Sequence, residues 1–234
     1  MDLPTVTSTD LAQRRAQVAV LPVGSYEQHG DHLPLTTDTL VACAIASRLA
    51  DTYALHPLPA ITISCSQEHE NFAGTVSITA STLIAIIHDI RDSLARQRIH
   101  SLAIVNGHGG NYVLANIVCQ SNVDGPHLTL FPGKEEWTLA RQDAGMTSNG
   151  HDDMHGGELE TSILLHTHPE LVKASYTSAD HEAKDREHLL ITGMSAYTSS
   201  GIIGYPSLAT PAKGQAALDS LVGSFADHLK LIGG

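Results

Sequence analysis

The densest run of ligand-type side chains is "EQHGDHLPLTTD", Glu27 to Asp38, which follows the apolar stretch "VAVLPV" and holds Glu27, His29, His32 and Asp38. Glu27 and His29 are two residues apart, so an extended segment points both to the same side. A carboxylate beside an imidazole suits a divalent metal. Asp38 opens a predicted helix, where a carboxylate serves either as a ligand or as a cap. His32 reads as a packing residue rather than a ligand.

A second candidate is "NGHGGN", Asn106 to Asn111, where Gly107, Gly109 and Gly110 allow a tight turn and His108 is carried at a strand tip. The turn lacks both the G-x-G-x-x-G fingerprint and the Lys-Ser/Thr of a phosphate-binding loop, which argues against a nucleotide. A third is "HDDMHGGELETS", His151 to Ser162, with His155 in a loop and Glu158 and Glu160 at the start of a predicted helix. Glutamates in a first turn are favoured by the helix dipole whatever else they do. Being two residues apart they diverge, so one of them faces the site, and Glu160 is preferred.

Together, Glu27, His29, Asp38, His108 and Glu160 supply three carboxylates and two imidazoles. Two divalent metals sharing a carboxylate need about this many mixed oxygen and nitrogen ligands. No thiolate is among them, which argues against a closed structural zinc site. Zinc, manganese and iron all accept such ligands, and zinc is placed first.

These residues must be gathered by the fold. Short β-branched runs alternate with amphipathic ones, the pattern of a mostly parallel sheet covered by helices, an α/β protein. Strands are predicted at Gln17 to Val23, Leu58 to Ser64, Ser101 to Gly107 and His127 to Phe131. Leu83, Ile86, Ile87, Ile90 and Leu94 recur at helical spacing behind Ser81 as the expected N-cap. A terminal helix is expected with Thr210 as N-cap, Pro211 in its first turn, and Leu218, Leu221, Val222, Phe225 and Leu229 on one face. The stretch from Lys134 to Gly157 is polar and weakly periodic and reads as a loop-rich insertion. In a parallel sheet all the strands end at one edge, and ligands bind there.

The 234 residues are expected to form a single domain spanning 1–234. A net charge of -12 argues against nucleic acid and anionic membrane surfaces as partners. Cys43, Cys65 and Cys119 form no CxxC pair, and the N-terminus shows no apolar leader, so a cytoplasmic protein with reduced thiols is expected. Fifteen histidines are an excess consistent with metal chemistry.

The motifs "LPVGSYEQHGDHLPLTTDT", "QEHENFAGTVSI", "AIVNGHGGN", "HGGELETS" and "TSSGIIGYPSLATPAKG" resemble the creatininase family in identity and order, from about Val20 to Gly214. The resemblance implies a three-layer α/β/α sandwich, two divalent metal ions per subunit and a homo-oligomer, often a hexamer. It implies that Glu27 and His108 bind one metal, that His29 and an acidic residue bind the other, and that Asp38 bridges them. His155 matches the family's proton-moving histidine. Creatininase proper has His-Tyr-Glu where this chain has His108, Gly109 and Gly110, so the missing carboxylate is expected from Glu160. It also carries a Trp-Asp pair where this chain has His151 and Asp152, which argues against creatinine as substrate.

The expected activity is hydrolysis of a non-standard carbon-nitrogen bond in a small-molecule amide, cyclic amide or formamide by a hydroxide between two metals, with His155 passing a proton to the departing nitrogen. Tyr26, His69, His151 and Asp152 are candidate cavity walls, and the amides of Gly109 and Gly110 are expected to orient substrate. Trimming of a ribosomally made cofactor-precursor peptide is the enzymatic alternative, with creatinine opening behind it. Outside catalysis, the chain could be an inactive metal-binding oligomer or a phosphate-binding module.

Overall fold

The structure is a computed structural model and describes residues 3–233. Its centre is a parallel sheet in the order β2-β1-β3-β4, formed by β1 (Val18–Val23), β2 (His56–Pro57), β3 (Ser101–Asn106) and β4 (Leu128–Phe131). Eight α-helices accompany it among the described residues: α1 (Ser8–Arg14), α2 (Thr37–Tyr53), α3 (Ala80–Arg96), α4 (Val113–Ser121), α5 (Lys134–Asp143), α6 (Glu158–Thr167), α7 (Leu189–Thr192) and α8 (Pro211–Ile232).

Alternation along the strands sorts the sheet into two faces. Val18 and Val20 of β1 and Ala103 and Val105 of β3 join Leu40, Ile45 and Leu49 of α2, Ile163 of α6, and Leu218, Leu221 and Phe225 of α8. Ala19, Leu21, Val23, Leu102 and Ile104 face the other way, onto Leu83 and Ile87 of α3 and Leu114 and Ile117 of α4. The result is the expected three-layer α/β/α arrangement. Each of these large side chains, once fully buried, contributes about 1.5–3 kcal/mol.

Three expectations are corrected. Leu58 to Ser64 is not a strand: two residues, His56 and Pro57, pair with β1, and beyond them Ile61 makes an isolated bridge to Val23. Pro59 interrupts the run, and proline cannot donate to a ladder. Helix α3 is capped by Thr79 rather than Ser81, its side chain accepting from the Thr82 N–H at 3.3 Å. The supposed loop after Lys134 opens with a helix, α5, which buries Ala140 and rests Trp137 on the core beside α8. Its apolar face is two residues wide, too narrow for periodicity to register.

Thr210 caps α8 by accepting from the Lys213 N–H at 3.3 Å, with Pro211 in the first turn as expected. Among the described residues no helix is long and apolar enough to cross a membrane. Cys43, Cys65 and Cys119 are free thiols.

Candidate metal centre

Strands β1 and β3 end side by side, Val23 opposite Asn106, and each is followed by a glycine. A Cβ on Gly24 would lie 2.3 Å from the Thr39 Cα, and one on Gly107 would lie 2.2 Å from the Asp38 carbonyl oxygen. Glycine at both tips therefore lets the first turn of α2 come down onto the end of the sheet. That turn carries Asp38, 1% exposed. Asp38 does not cap its helix; Ser25 Oγ donates to its Oδ2 at 2.7 Å, and both carboxylate oxygens face imidazoles. The Glu27 N–H donates to the Leu35 carbonyl at 3.0 Å, turning the loop back so that Glu27 and His29 point the same way as Asp38.

Asp38 Oδ1 is 2.9 Å from His29 Nε2, and Asp38 Oδ2 is 3.0 Å from His108 Nδ1. Glu160 Oε1 lies 3.9 Å from the same His29 nitrogen. Glu27 Oε2 is 3.2 Å from His108 Nε2, and Glu27 Oε1 is 3.3 Å from His69 Nε2 and 3.7 Å from His155 Nδ1. Three groups each offer donor atoms within 4.8 Å of one another: Glu27 with His29 and His155, Glu27 with Asp38 and His108, and His29 with Asp38 and Glu160. The five ligands expected from sequence thus converge, and His155 and His69 stand beside them.

The imidazoles are aimed by backbone carbonyls. His29 Nδ1 donates to the Glu27 carbonyl at 3.1 Å, His108 Nε2 to that of Cys65 at 2.9 Å, and His155 Nε2 to that of Gln28 at 2.7 Å. A carbonyl only accepts, so each bond favours hydrogen on the bonded nitrogen; at His155 Nε2 the carbonyl at 2.7 Å is closer than the Gln28 amide nitrogen at 3.2 Å. Of the nitrogens left over, His29 Nε2 and His108 Nδ1 face Asp38 and His155 Nδ1 faces Glu27, while His108 Nε2 also lies 3.2 Å from Glu27 Oε2. Metal-binding histidines are held in this way.

Electrostatics agree with a cation site. Burial opposes charge on His29, but Asp38, Glu160 and Glu27 outweigh it and raise its pKa to about 9. Burial likewise opposes charge on His108, and Glu27 and Asp38 lift it well above the ordinary histidine value. Burial pushes Glu160 up to about 7 despite His29. Asp38, whose burial is outweighed by His29 and His108, is held well below the carboxylate range. Both oxygens of Glu27 are buried without a hydrogen-bond partner, the neighbouring nitrogens approaching off the line of donation. A buried carboxylate left so is costly unless a cation meets it. The residues therefore fit a metal ion.

The site opens into a cavity of about 680 Å³ lined by His108, Gly109, Lys134, Trp137, Met154 and Glu160, among others. His151 also lines it, while its Nε2 donates to the Lys184 carbonyl at 3.0 Å. Asp152 instead accepts from Asn149 Nδ2 at 2.9 Å, and Tyr26, half-buried, holds the Val76 N–H through its carbonyl at 2.9 Å. Glu158 is tied to Lys213 Nζ at 2.6 Å, away from the ligands, so the preference for Glu160 agrees with the geometry. His32 is buried outside the cluster against Thr161, and burial lowers its pKa to about 4.

Two site residues escaped the reading of the sequence. Gln28 donates to His69 Nδ1 at 2.9 Å and to the Gly201 carbonyl at 3.0 Å, and accepts from the Gly30 N–H at 3.0 Å. Glu68 Oε1 lies 3.4 Å from His108 Nε2. The only signal for Glu68 was its adjacency to His69 in "QEHENF".

The family model described as creatininase, creatinine amidohydrolase, matches residues 4–229. A mycofactocin precursor peptide peptidase of Mycolicibacterium smegmatis is 34% identical over 240 residues, which cover 97% of this chain and 90% of that protein. A creatinine amidohydrolase of Pseudomonas putida is 29% identical over 178 residues, 66% of each chain. A crystal structure of creatinine amidohydrolase matches with a TM-score of 0.83 at 25% identity, covering 96% of this chain and 95% of that one.

Proposed function

The chain belongs to the creatininase family, and on that premise we propose that it is a metal-dependent amidohydrolase whose substrate is a peptide-type amide. The observation that carries the reading is Glu27: a fully buried carboxylate, both oxygens without hydrogen bonds, ringed by His69, His108 and His155. Such a group asks for a cation.

The roles follow from the side chains. Glu27, Asp38 and His108 would hold one divalent ion, and His29, Asp38 and Glu160 a second, with Asp38 between them. Bound there, divalent ions polarise a carbonyl and lower the pKa of water. His155 presents an unprotonated Nδ1 toward the cluster, because Nε2 is committed to the Gln28 carbonyl. It accepts a proton there and returns it to the departing nitrogen. Gly109, without a side chain, leaves the cavity wall open beside His108.

Cavity size and the relatives together favour a peptide-type substrate. About 680 Å³ is the volume of a site for a sizeable ligand rather than for one five-membered ring. The peptide peptidase relative is 34% identical along 97% of the chain, whereas the creatinine amidohydrolase relative is 29% identical along 66% and the creatinine amidohydrolase crystal structure, matched along 96%, is 25% identical. Trp137 and Met154 offer apolar walls and Lys134 a cationic one.

Elemental analysis of the purified protein tests the metal reading: stoichiometric divalent transition metal is expected in wild type and a loss of occupancy in Asp38→Ala. Full occupancy in the variant, or none in wild type, sinks it. Assays on short peptides and on creatinine test the substrate reading, and faster turnover of creatinine would overturn it.

A further inference from the structure

His108 is held from both edges. Its Nδ1 faces Asp38 Oδ2 at 3.0 Å, and its Nε2, which donates to the Cys65 carbonyl at 2.9 Å, lies 3.4 Å from Glu68 Oε1. Glu68 comes from a single helical turn, Gln67–His69, that also delivers His69, and its side chain is 15% exposed. Its one ion-pair contact among the described residues is His108.

The space for this contact is made by a glycine. A Cβ on Gly110 would stand 2.0 Å from Glu68 Oε1 and 2.4 Å from His108 Nε2. A side chain at 110 and the Glu68 carboxylate therefore cannot both hold these positions. Gly109 next to it meets nothing within 4 Å, so close packing of the turn in general is not the reason.

We infer that Glu68 is a positioning residue for the metal centre: it meets the N–H edge of His108, and Gly110 is what lets it reach there. The inference rests on the proposed function. A carboxylate at the far edge of a metal-binding imidazole fixes its orientation and makes its other nitrogen a stronger donor. Here it shares that edge with the Cys65 carbonyl and with Glu27 Oε2, 3.2 Å from the same nitrogen, so the ring is aimed at Asp38 by one neutral and two anionic groups.

The test is metal affinity, measured by chelator competition on the full chain with zinc and with cobalt as probes. Glu68→Gln keeps the size and removes the charge; it is expected to weaken binding about 10- to 100-fold and to shift the cobalt absorption bands. Glu68→Asp is expected to recover part of the affinity. Thermal melts of the metal-free proteins verify that the variants fold, and Glu68→Ala serves if Gln does not. Unchanged affinity and superimposable cobalt spectra in the Gln and Ala variants would overturn the inference. Glu27→Gln separates the two readings: if it abolishes uptake while the Glu68 variants bind normally, Glu68 alone is misassigned. A wild type that takes up no ion removes both.

Discussion

His155 gives its Nε2 hydrogen to the backbone carbonyl of Gln28 at 2.7 Å, which leaves Nδ1 as the free nitrogen, 3.7 Å from Glu27 Oε1. The ring is itself pinned, because the His155 backbone pairs with Ile203 in both directions, at 2.9 and 3.0 Å. Burial, with His29 and His69 adding to it, keeps its pKa well below the ordinary value, so it stands neutral.

From this a separable role follows. His155→Ala is expected to lower kcat about 10²- to 10⁴-fold while leaving metal content unchanged, since the five proposed ligands are elsewhere. Parallel elemental analysis and turnover measurements check it. Unaltered turnover would remove the proton-carrying role; lost metal would make His155 a ligand.

Gln28 is the hinge between the loop after β1 and the segment around Gly201. Gly201 has φ +87°, and a Cβ there would lie 1.7 Å from Gln28 Oε1. Gly201→Ala is therefore expected to displace the Gln28 amide and release His69, whose Nδ1 it holds at 2.9 Å. The expected result is a loss of turnover larger than the loss of thermal stability. Equal activity in a folded Gly201→Ala protein would show that the orientation of His69 is dispensable.

What the sequence made legible was the local chemistry. Glu27 and His29 were readable because alternation in an extended segment is a simple rule, and His108 because a glycine-rich turn at a strand tip is. That one of Glu158 and Glu160 turns away from the site was readable as a divergence of two helical positions, and the preference for Glu160 came from the family resemblance. Glu68 was not, because its meaning depends on the space left by Gly110, forty-two positions later in the chain. Nor was α5, whose narrow apolar face becomes a reason for a helix only once α8 lies beside it. The strand expected at Leu58 to Ser64 failed where Pro59 overrode β-branched composition.

The two glutamates of α6 should part company on substitution. Glu158, fully buried, accepts from Lys213 Nζ at 2.6 Å and from Ser148 Oγ at 2.5 Å. Glu158→Gln is expected to cost about 1–3 kcal/mol, the partial exposure of Lys213 moderating the loss of a buried pair. Metal content should stay. Glu160→Gln is expected to do the reverse: metal occupancy falls, and thermal stability of the metal-free protein holds or rises as a buried charge site is neutralised. Melting curves and elemental analysis on both variants check the split, and a Glu158 variant that loses metal with its fold intact would reverse the assignment.

Glu136 gives a pH dependence remote from the metal centre. Its Oε2 accepts the Gly133 N–H at the start of α5 at 2.7 Å, and its Oε1 lies 3.2 Å from His228 Nε2, whose Nδ1 in turn accepts from Thr129 Oγ1. Burial opposes its ionisation, but the hydrogen bonds from His228 and the α5 N-terminus outweigh it and lower its pKa. With the folded pKa below the unfolded one, the ionised carboxylate stabilises the fold above the ordinary glutamate value, about 4.3. That contribution fades as pH falls through the lowered folded value. Glu136→Gln should therefore be less stable than wild type near pH 7, and the gap should narrow as the pH drops below about 4. Denaturant midpoints across that range check the sign: a gap that stays constant down to low pH would mean that Glu136 acts by packing and not by charge.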